Sequence, residues 1–194
     1  MSRLLHLNGP PGIGKSTLAR RYVADHPGVL NCDIDVLRTL IGGWESDFAA
    51  AGGLIRPAAL AMIEAYLAHG HDVVLPQMLT NPTELARFEA SATAAGAQLV
   101  ERFLMDTPAA SAARFHRRGT DAGTGTGTGT DDPWHDQVRS IVAANGGDEA
   151  LARSHEALER LLTQRPDAVV IESVEGDVEE TYAAVLESLG QRRR

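Results

Sequence analysis

The stretch Leu4-Leu5-His6-Leu7-Asn8-Gly9-Pro10-Pro11-Gly12-Ile13-Gly14-Lys15-Ser16-Thr17 decides the fold. Its apolar start over 4–7 reads as a short buried strand. The pattern G-x-x-x-x-G-K-[ST] follows at once. A helical pattern then begins near Lys15 and runs through Leu18, Ala19, Tyr22 and Val23 until His26-Pro27-Gly28 stops it. This strand–glycine loop–helix order is what makes the motif informative, because the pattern alone also occurs by chance. Glycines let the loop turn its N–H groups inward, and the helix adds the positive end of its dipole. The competing reading, a glycine-rich turn that binds nothing, is disfavoured by the proper flank on each side.

The expected phosphate cradle is Gly9, Pro10, Pro11, Gly12, Ile13, Gly14, Lys15, Ser16 and Thr17. Lys15 is placed to reach the β- and γ-phosphates of ATP, and the Ser16 hydroxyl to hold Mg²⁺. The chain carries 18 basic residues, and Lys15 is its only lysine. A compact ammonium on a flexible stem is wanted at this position, where an arginine fork fits poorly.

Outward from the motif, strands are expected over 29–34, 72–75, 98–105 and 168–172, and helices over 35–41, 57–68, 82–95, 108–118, 133–144, 148–164 and 177–189. Gly42-Gly43 and Gly52-Gly53 bracket a mobile-looking stretch with Trp44 and Phe48. Alternating strands and helices predict a five-stranded parallel sheet covered on both faces, a P-loop three-layer sandwich. At 194 residues the chain is expected to be a single domain, 1–194, with a flexible lid at about 117–140. Within that lid Gly123-Thr124 repeats through Gly129-Thr130, a segment rich in backbone entropy and poor in core-forming side chains. It reads as a working lid or as an idle loop.

Composition narrows the partners. Hydrophobic residues make up 43% and charged residues 23%, and net charge is −8. No apolar run in the sequence approaches the roughly 18 residues of a membrane span, so no membrane partner is expected. The acidic balance argues against nucleic acid without excluding a local basic patch. One cysteine, Cys32, precludes an internal disulfide, and a reducing cytoplasm fits. The seven histidines show no metal spacing.

Two clusters add chemistry. Asp33 and Asp35 follow the second strand and would share a face if that strand persisted. One suits the water shell of a metal, and the other suits orienting and deprotonating an attacking hydroxyl. Capping of the next helix is the alternative for Asp35. Arg114, Arg117 and Arg118 stand three and four apart on one helix beside the glycine-rich segment. They suit a triphosphate clamp, with a solvated helix end as the alternative.

These motifs resemble the small P-loop kinases of the adenylate-kinase type, among them shikimate and gluconate kinases, chloramphenicol phosphotransferases and phage-type polynucleotide 5′-kinases. Asp35-Val36-Leu37-Arg38 is similar to the segment in which polynucleotide kinases carry their general base, with the arginine beside it. Asp33-Ile34-Asp35 is similar to the Asp-x-Asp of shikimate kinases, whose first carboxylate serves the metal. Thr80-Asn81-Pro82, Met105-Asp106 and the run Arg114-Phe115-His116-Arg117-Arg118-Gly119 also resemble the phage-type enzyme. The resemblance implies nucleotide contact for Arg114 and phosphate contact for Arg118. Two departures stand out: no acidic residue occurs near Gln77, and no Walker B aspartate ends Val73-Val74-Leu75-Pro76. Asp33 therefore becomes the metal-side acid.

The expected activity is transfer of the ATP γ-phosphoryl group to a hydroxyl of a small molecule. Lys15, Asp35, Arg38 and Arg118 would be catalytic. Asp35, Arg38, Trp44 and Gln77 would face the acceptor, and Ser16 and Asp33 the metal. A polynucleotide 5′-hydroxyl kinase and an ATPase without acceptor remain the alternatives.

Overall fold

The computed structural model describes residues 1–117, 135–173 and 175–191. Five strands, β1 (Arg3–Asn8), β2 (Leu30–Asn31), β3 (Val73–Pro76), β4 (Gln98–Met105) and β5 (Val169–Glu172), form one parallel sheet in the order β2-β3-β1-β4-β5. The helices are α1 (Lys15–Asp25), α2 (Ile34–Arg38), α3 (Phe48–Ala68), α4 (Pro82–Ala94), α5 (Pro108–Arg117), α6 (His135–Ala144), α7 (Asp148–Leu162) and α8 (Val178–Ser188).

Successive residues of a strand point to opposite faces, and the core divides accordingly. Leu4, Val73, Leu75 and Phe103 pack with Ile63, Leu67 and Phe88 on one side of the sheet. Leu5, Leu7, Val74 and Leu104 pack with Leu18, Tyr182 and Leu186 on the other. Burial on both faces is why the central strands read as unbroken apolar runs. From β1 the chain visits β2 and β3 on one side before crossing to β4 and β5 on the other. The crevice therefore opens beyond the carboxyl end of β1, where such sheets bind ligands.

Three expectations need correction. The second strand is short: only Leu30 and Asn31 pair regularly, followed by one more hydrogen bond from Cys32 N to Val74 O at 2.9 Å. Asp33 then caps α2, its Oδ1 accepting from Asp35 N at 3.0 Å. The carboxylate satisfies an orphan amide of the helix and so ends the extended chain early. Asp33 and Asp35 are thus not strand neighbours, and the cap is Asp33 rather than Asp35.

The stretch around Phe48 and Gly52-Gly53 is not a separate mobile segment. It is the first part of α3, which is capped by Asp47 through Ala50 N at 2.8 Å and keeps Pro57 inside. Merging the two segments gives a helix of 21 residues whose mean hydropathy reaches 1.3, long and apolar enough to cross a membrane by length and composition. Its inner face, with Ala51, Ala59, Ile63 and Leu67, is buried in the protein, and 28% of the apolar window is buried in all. Arg118, the glycine-threonine repeat over 123–130, Val174 and the arginines over 192–194 lie outside the described residues.

Candidate active site

The phosphate cradle begins with a steric demand. A Cβ on Gly9, at φ 145°, would stand 2.3 Å from Leu104 O, so only glycine lets the loop leave β1 against the backbone of β4. Asn8, fully buried, pins that exit. Its Oδ1 accepts from Gly9 N at 2.9 Å and Leu79 N at 3.0 Å, while its Nδ2 donates to Leu79 O at 2.8 Å. At the far end Gly14, at φ 108°, opens α1 with no side-chain cap, and a Cβ there would meet nothing within 4 Å. By contrast α2, α3, α4 and α8 are capped by Asp33, Asp47, Asn81 and Asp177. An eleven-residue helix that presents its N-terminus without a capping side chain suits an anion. Lys15 Nζ donates to Gly9 O at 2.8 Å and Pro10 O at 2.9 Å, which holds the ammonium over the loop.

Two carboxylates stand beside the cradle in different settings. Asp33 is 2% exposed, and its Oδ2 has no hydrogen-bond partner of normal geometry. Burial pushes its carboxyl above the usual range, against the lowering effect of the Ser16 hydroxyl next to it. Among the described residues no group of three or more His, Cys, Asp or Glu comes together. A cation here would rest on the Ser16 hydroxyl, phosphate oxygens and, through water, Asp33, a hard-oxygen set that suits Mg²⁺.

Asp35 is also pushed up by burial and by Asp33, with Arg38 pulling it down. Arg38 Nε lies 3.4 Å from Asp35 Oδ1, and its Nη1 donates to Phe48 O at 3.3 Å. The guanidinium carbon stands 4.2 Å from the centre of the Phe48 ring, a cation–π contact. Its other flank rests on Gly52, where a Cβ would fall 2.7 Å from the guanidinium carbon. The missing side chain of Gly52 is the notch that lets Arg38 lie flat on α3.

A cavity of about 220 Å³ joins these parts. Its floor is Pro11, Gly12, Gly14, Lys15 and Ser16, and its wall on the β2–β3 side carries Asp35, Arg38, Phe48 and Gln77. Trp44 does not line it, and instead meets Phe48 edge-on at 6.4 Å. Arg114 lies behind the loop. It donates to Ile13 O at 3.3 Å and to Ser173 O, and pairs with Asp106 at 3.4 Å. It thereby ties the cradle to the end of β5. Arg117 pairs with Glu175, its Nε at 2.9 Å.

Sequence reasoning missed several wall residues. Pro76, Met78 and Phe115 line the cavity, as do His135, Val138, Arg139 and Ile141 of α6. Val138 and Ile141 stand three apart and so share a face of α6, but that spacing does not say which surface the face meets. Asn8 and Gly52 had no sequence signal, because their roles are contacts between distant elements.

The comparisons with known proteins agree with this architecture. The model of the family described as AAA domain matches residues 4–128. A search of curated proteins found no match. Among solved structures, a gluconokinase from Sinorhizobium meliloti 1021 is similar at TM-score 0.56 and 19% identity, over 96% of this chain and 95% of that one. The tunicamycin resistance protein of Deinococcus radiodurans is similar at TM-score 0.59 and 12% identity, over 98% and 97%. A chain of the Pnkp1/Rnl/Hen1 RNA repair complex is similar at TM-score 0.63 and 18% identity, over 84% of this chain but only 46% of that one. At these identities the likeness is one of fold. The family match spans the glycine loop, the capping aspartate and the arginine helix alike, and the chain belongs to the AAA domain family, with a P-loop kinase-like fold.

Proposed function

We propose that this chain is an ATP-dependent kinase that phosphorylates a hydroxyl of a small molecule, and that residues 1–194 act as one kinase domain with a lid at about 117–140. The observation that carries this reading is the single cavity lined at once by Lys15, Ser16 and Asp35. An uncapped phosphate cradle and a partly exposed carboxylate thus face the same space.

In this reading the acceptor hydroxyl lies against Asp35, which takes its proton as the oxygen attacks the γ-phosphorus. The bond between that phosphorus and the β–γ bridging oxygen breaks, and ADP leaves. Mg²⁺, when bound, neutralises charge on the phosphates, held by Ser16 with Asp33 behind it. Lys15 offsets charge on the transferring group, because a loose transition state asks the protein mainly to position and to neutralise. Arg38 holds Asp35 in place and moderates its pKa. Arg118 remains the proposed phosphate contact of the lid. Gln77 faces the acceptor. The buried thiol of Cys32, pushed up to about 12 by burial and Asp33, is held unreactive, and the cytoplasm is proposed from the single cysteine alone.

The test is labelled-phosphate transfer from ATP with Mg²⁺, run alone and with pooled metabolites. Acceptor-dependent transfer that falls at least about 10²-fold in Lys15→Ala, with circular dichroism unchanged, is the expected outcome. Hydrolysis indifferent to every acceptor would favour an ATPase, and near-normal turnover in Lys15→Ala would sink the kinase reading. The ion pair of Asp35 with Arg38, together with the RNA repair neighbour, favours a polynucleotide kinase as second reading. Transfer to 5′-hydroxyl oligonucleotides decides it.

A further inference from the structure

The wall of the cavity on the β2–β3 side of the cradle contains a polar group that no other described residue satisfies. Gln77 is 8% exposed and lines the cavity, and its Oε1 has no hydrogen-bond partner among the described residues. A buried amide acceptor without a partner is costly, and a bound group that donates to it removes that cost. The backbone around it is held from both sides. His6 Nε2 donates to Gln77 O at 2.8 Å, and Asn8 grips Leu79 through both its amide and its carbonyl. Burial keeps His6 neutral at physiological pH, its pKa lowered to about 4, so the ring nitrogen that bonds Gln77 O is the one that carries the proton. The Gln77 amide is therefore presented from a rigid strand end rather than from a loose loop.

Beside these charged and polar groups, much of the cavity lining is apolar. Phe48, Pro76, Met78, Val138 and Ile141 complete the wall. The two arginines of the wall already have carboxylate partners. Arg38 lies 3.4 Å from Asp35, and Arg139 is paired with Asp136. An acceptor with a carboxylate or phosphate would compete with these carboxylates for the two arginines, and it would approach Asp35 with like charge.

We infer that the acceptor of this kinase is an uncharged alcohol with an apolar or aromatic body and a hydrogen-bond donor, and that Gln77 Oε1 reads the donor. The inference rests on the phosphotransferase reading above and narrows its substrate class. A site built around an unpaired buried acceptor discriminates strongly against an analogue that lacks the donor, and apolar area alone discriminates weakly.

Matched probes test this on the full chain with labelled ATP and Mg²⁺. N-benzylglycolamide carries a hydroxyl, an aromatic ring and an amide N–H. Benzyl glycolate replaces that N–H by an ester oxygen, and 3-phenyllactate carries a carboxylate. D-gluconate and a 5′-hydroxyl oligonucleotide complete the set. The expected order places the amide at least about tenfold above the ester in kcat/KM, with the charged acceptors below both. Gln77→Met keeps the length of the side chain and removes the unpaired oxygen. It is expected to fold and to bring the amide-to-ester ratio to about one. Faster transfer to gluconate or the oligonucleotide overturns this inference while upholding the kinase. A ratio unchanged in Gln77→Met, or no transfer to any neutral probe above the acceptor-free rate, overturns it as well. Loss of the kinase reading itself is recognised separately, as turnover that does not depend on Lys15.

Discussion

Two of the protein's arginine–carboxylate contacts, one between distant elements and one within a short helix, differ in use. Arg165 grips Glu101 at 2.6 Å and Glu89 at 3.0 Å near the amino end of β5, and Glu101 is 5% exposed. Arg38 stands off from Asp35 at 3.4 Å at the opposite end of the sheet, and a quarter of the Asp35 side chain, 26%, stays exposed beside the cavity. The first pair is closed: its arginine answers the charge of a carboxylate that burial pushes up. The second is left loose, with the guanidinium steadied by the Phe48 ring and the Gly52 notch rather than by the carboxylate alone. The contrast separates a pair that supports the scaffold from one that leaves a carboxylate able to serve a third group.

The largest effect that would break this contrast is expected from Arg165→Met. Removing one partner leaves Glu101 buried without its countercharge, at a cost of about 3–5 kcal/mol. Urea denaturation should register that loss, while turnover per folded molecule stays at the parent value. A destabilisation below about 1 kcal/mol would mean that the closed pair is no more structural than a surface pair.

His6 links the two regions, since it faces Glu101 across the β1–β4 ladder and donates to Gln77 O. Its pKa in the folded chain is about 4 against an ordinary 6.5, with burial the first cause. The native state therefore binds fewer protons than the unfolded chain in that interval. The contribution is present above pH 6.5 and is lost as pH falls towards 4, by about 3 kcal/mol across the window. His6→Phe should flatten the fall in unfolding free energy between those pH values. An equally steep fall in the variant would show that other groups set the acid sensitivity.

Asp35→Asn tests the loose pair directly. It should lower kcat by about 10²-fold with nucleotide affinity retained, because the carboxylate is assigned to the acceptor and not to ATP. Weakened ATP binding with turnover spared would reverse the roles given to Asp33 and Asp35. In the parent the raised pKa of Asp35 should set an acid limb of kcat above the usual carboxylate range.

The smallest effect, and the most selective, is expected from Gly52→Ala. The new methyl would meet only the end of a flexible side chain, so stability should hold or rise slightly through better helix propensity. The guanidinium must leave its notch, however, and Asp35 loses the cation that lowers its pKa. Turnover near pH 7 should fall about tenfold, and the acid limb should move upward. A profile superimposable on the parent would show that Arg38 does not hold Asp35.

Much of this protein is written locally. The eight-residue motif with an apolar strand before it and a helical pattern after it determined the fold class and the place of the cradle, since turn chemistry and helix polarity depend on neighbours in the chain. The strand 98–105 came out as read, because Leu99, Val100, Phe103, Leu104 and Met105 mark β4 as a strand although Glu101 and Arg102 lie within it. What the sequence could not reveal depends on distance in space. Gly52 looked like a loop breaker, and only the approach of Arg38 from another helix explains why a glycine sits inside α3. Asp33 and Asp35 looked like strand neighbours, and only competition between the short β2 and the cap of α2 decided which one is buried. Arg139 and the apolar face of α6 were invisible as site residues, because the chain returns to the cavity after the long segment 118–134. A backbone carries its own periodicity, but which unpaired oxygen meets which cavity, as with Gln77, is decided only when remote elements pack.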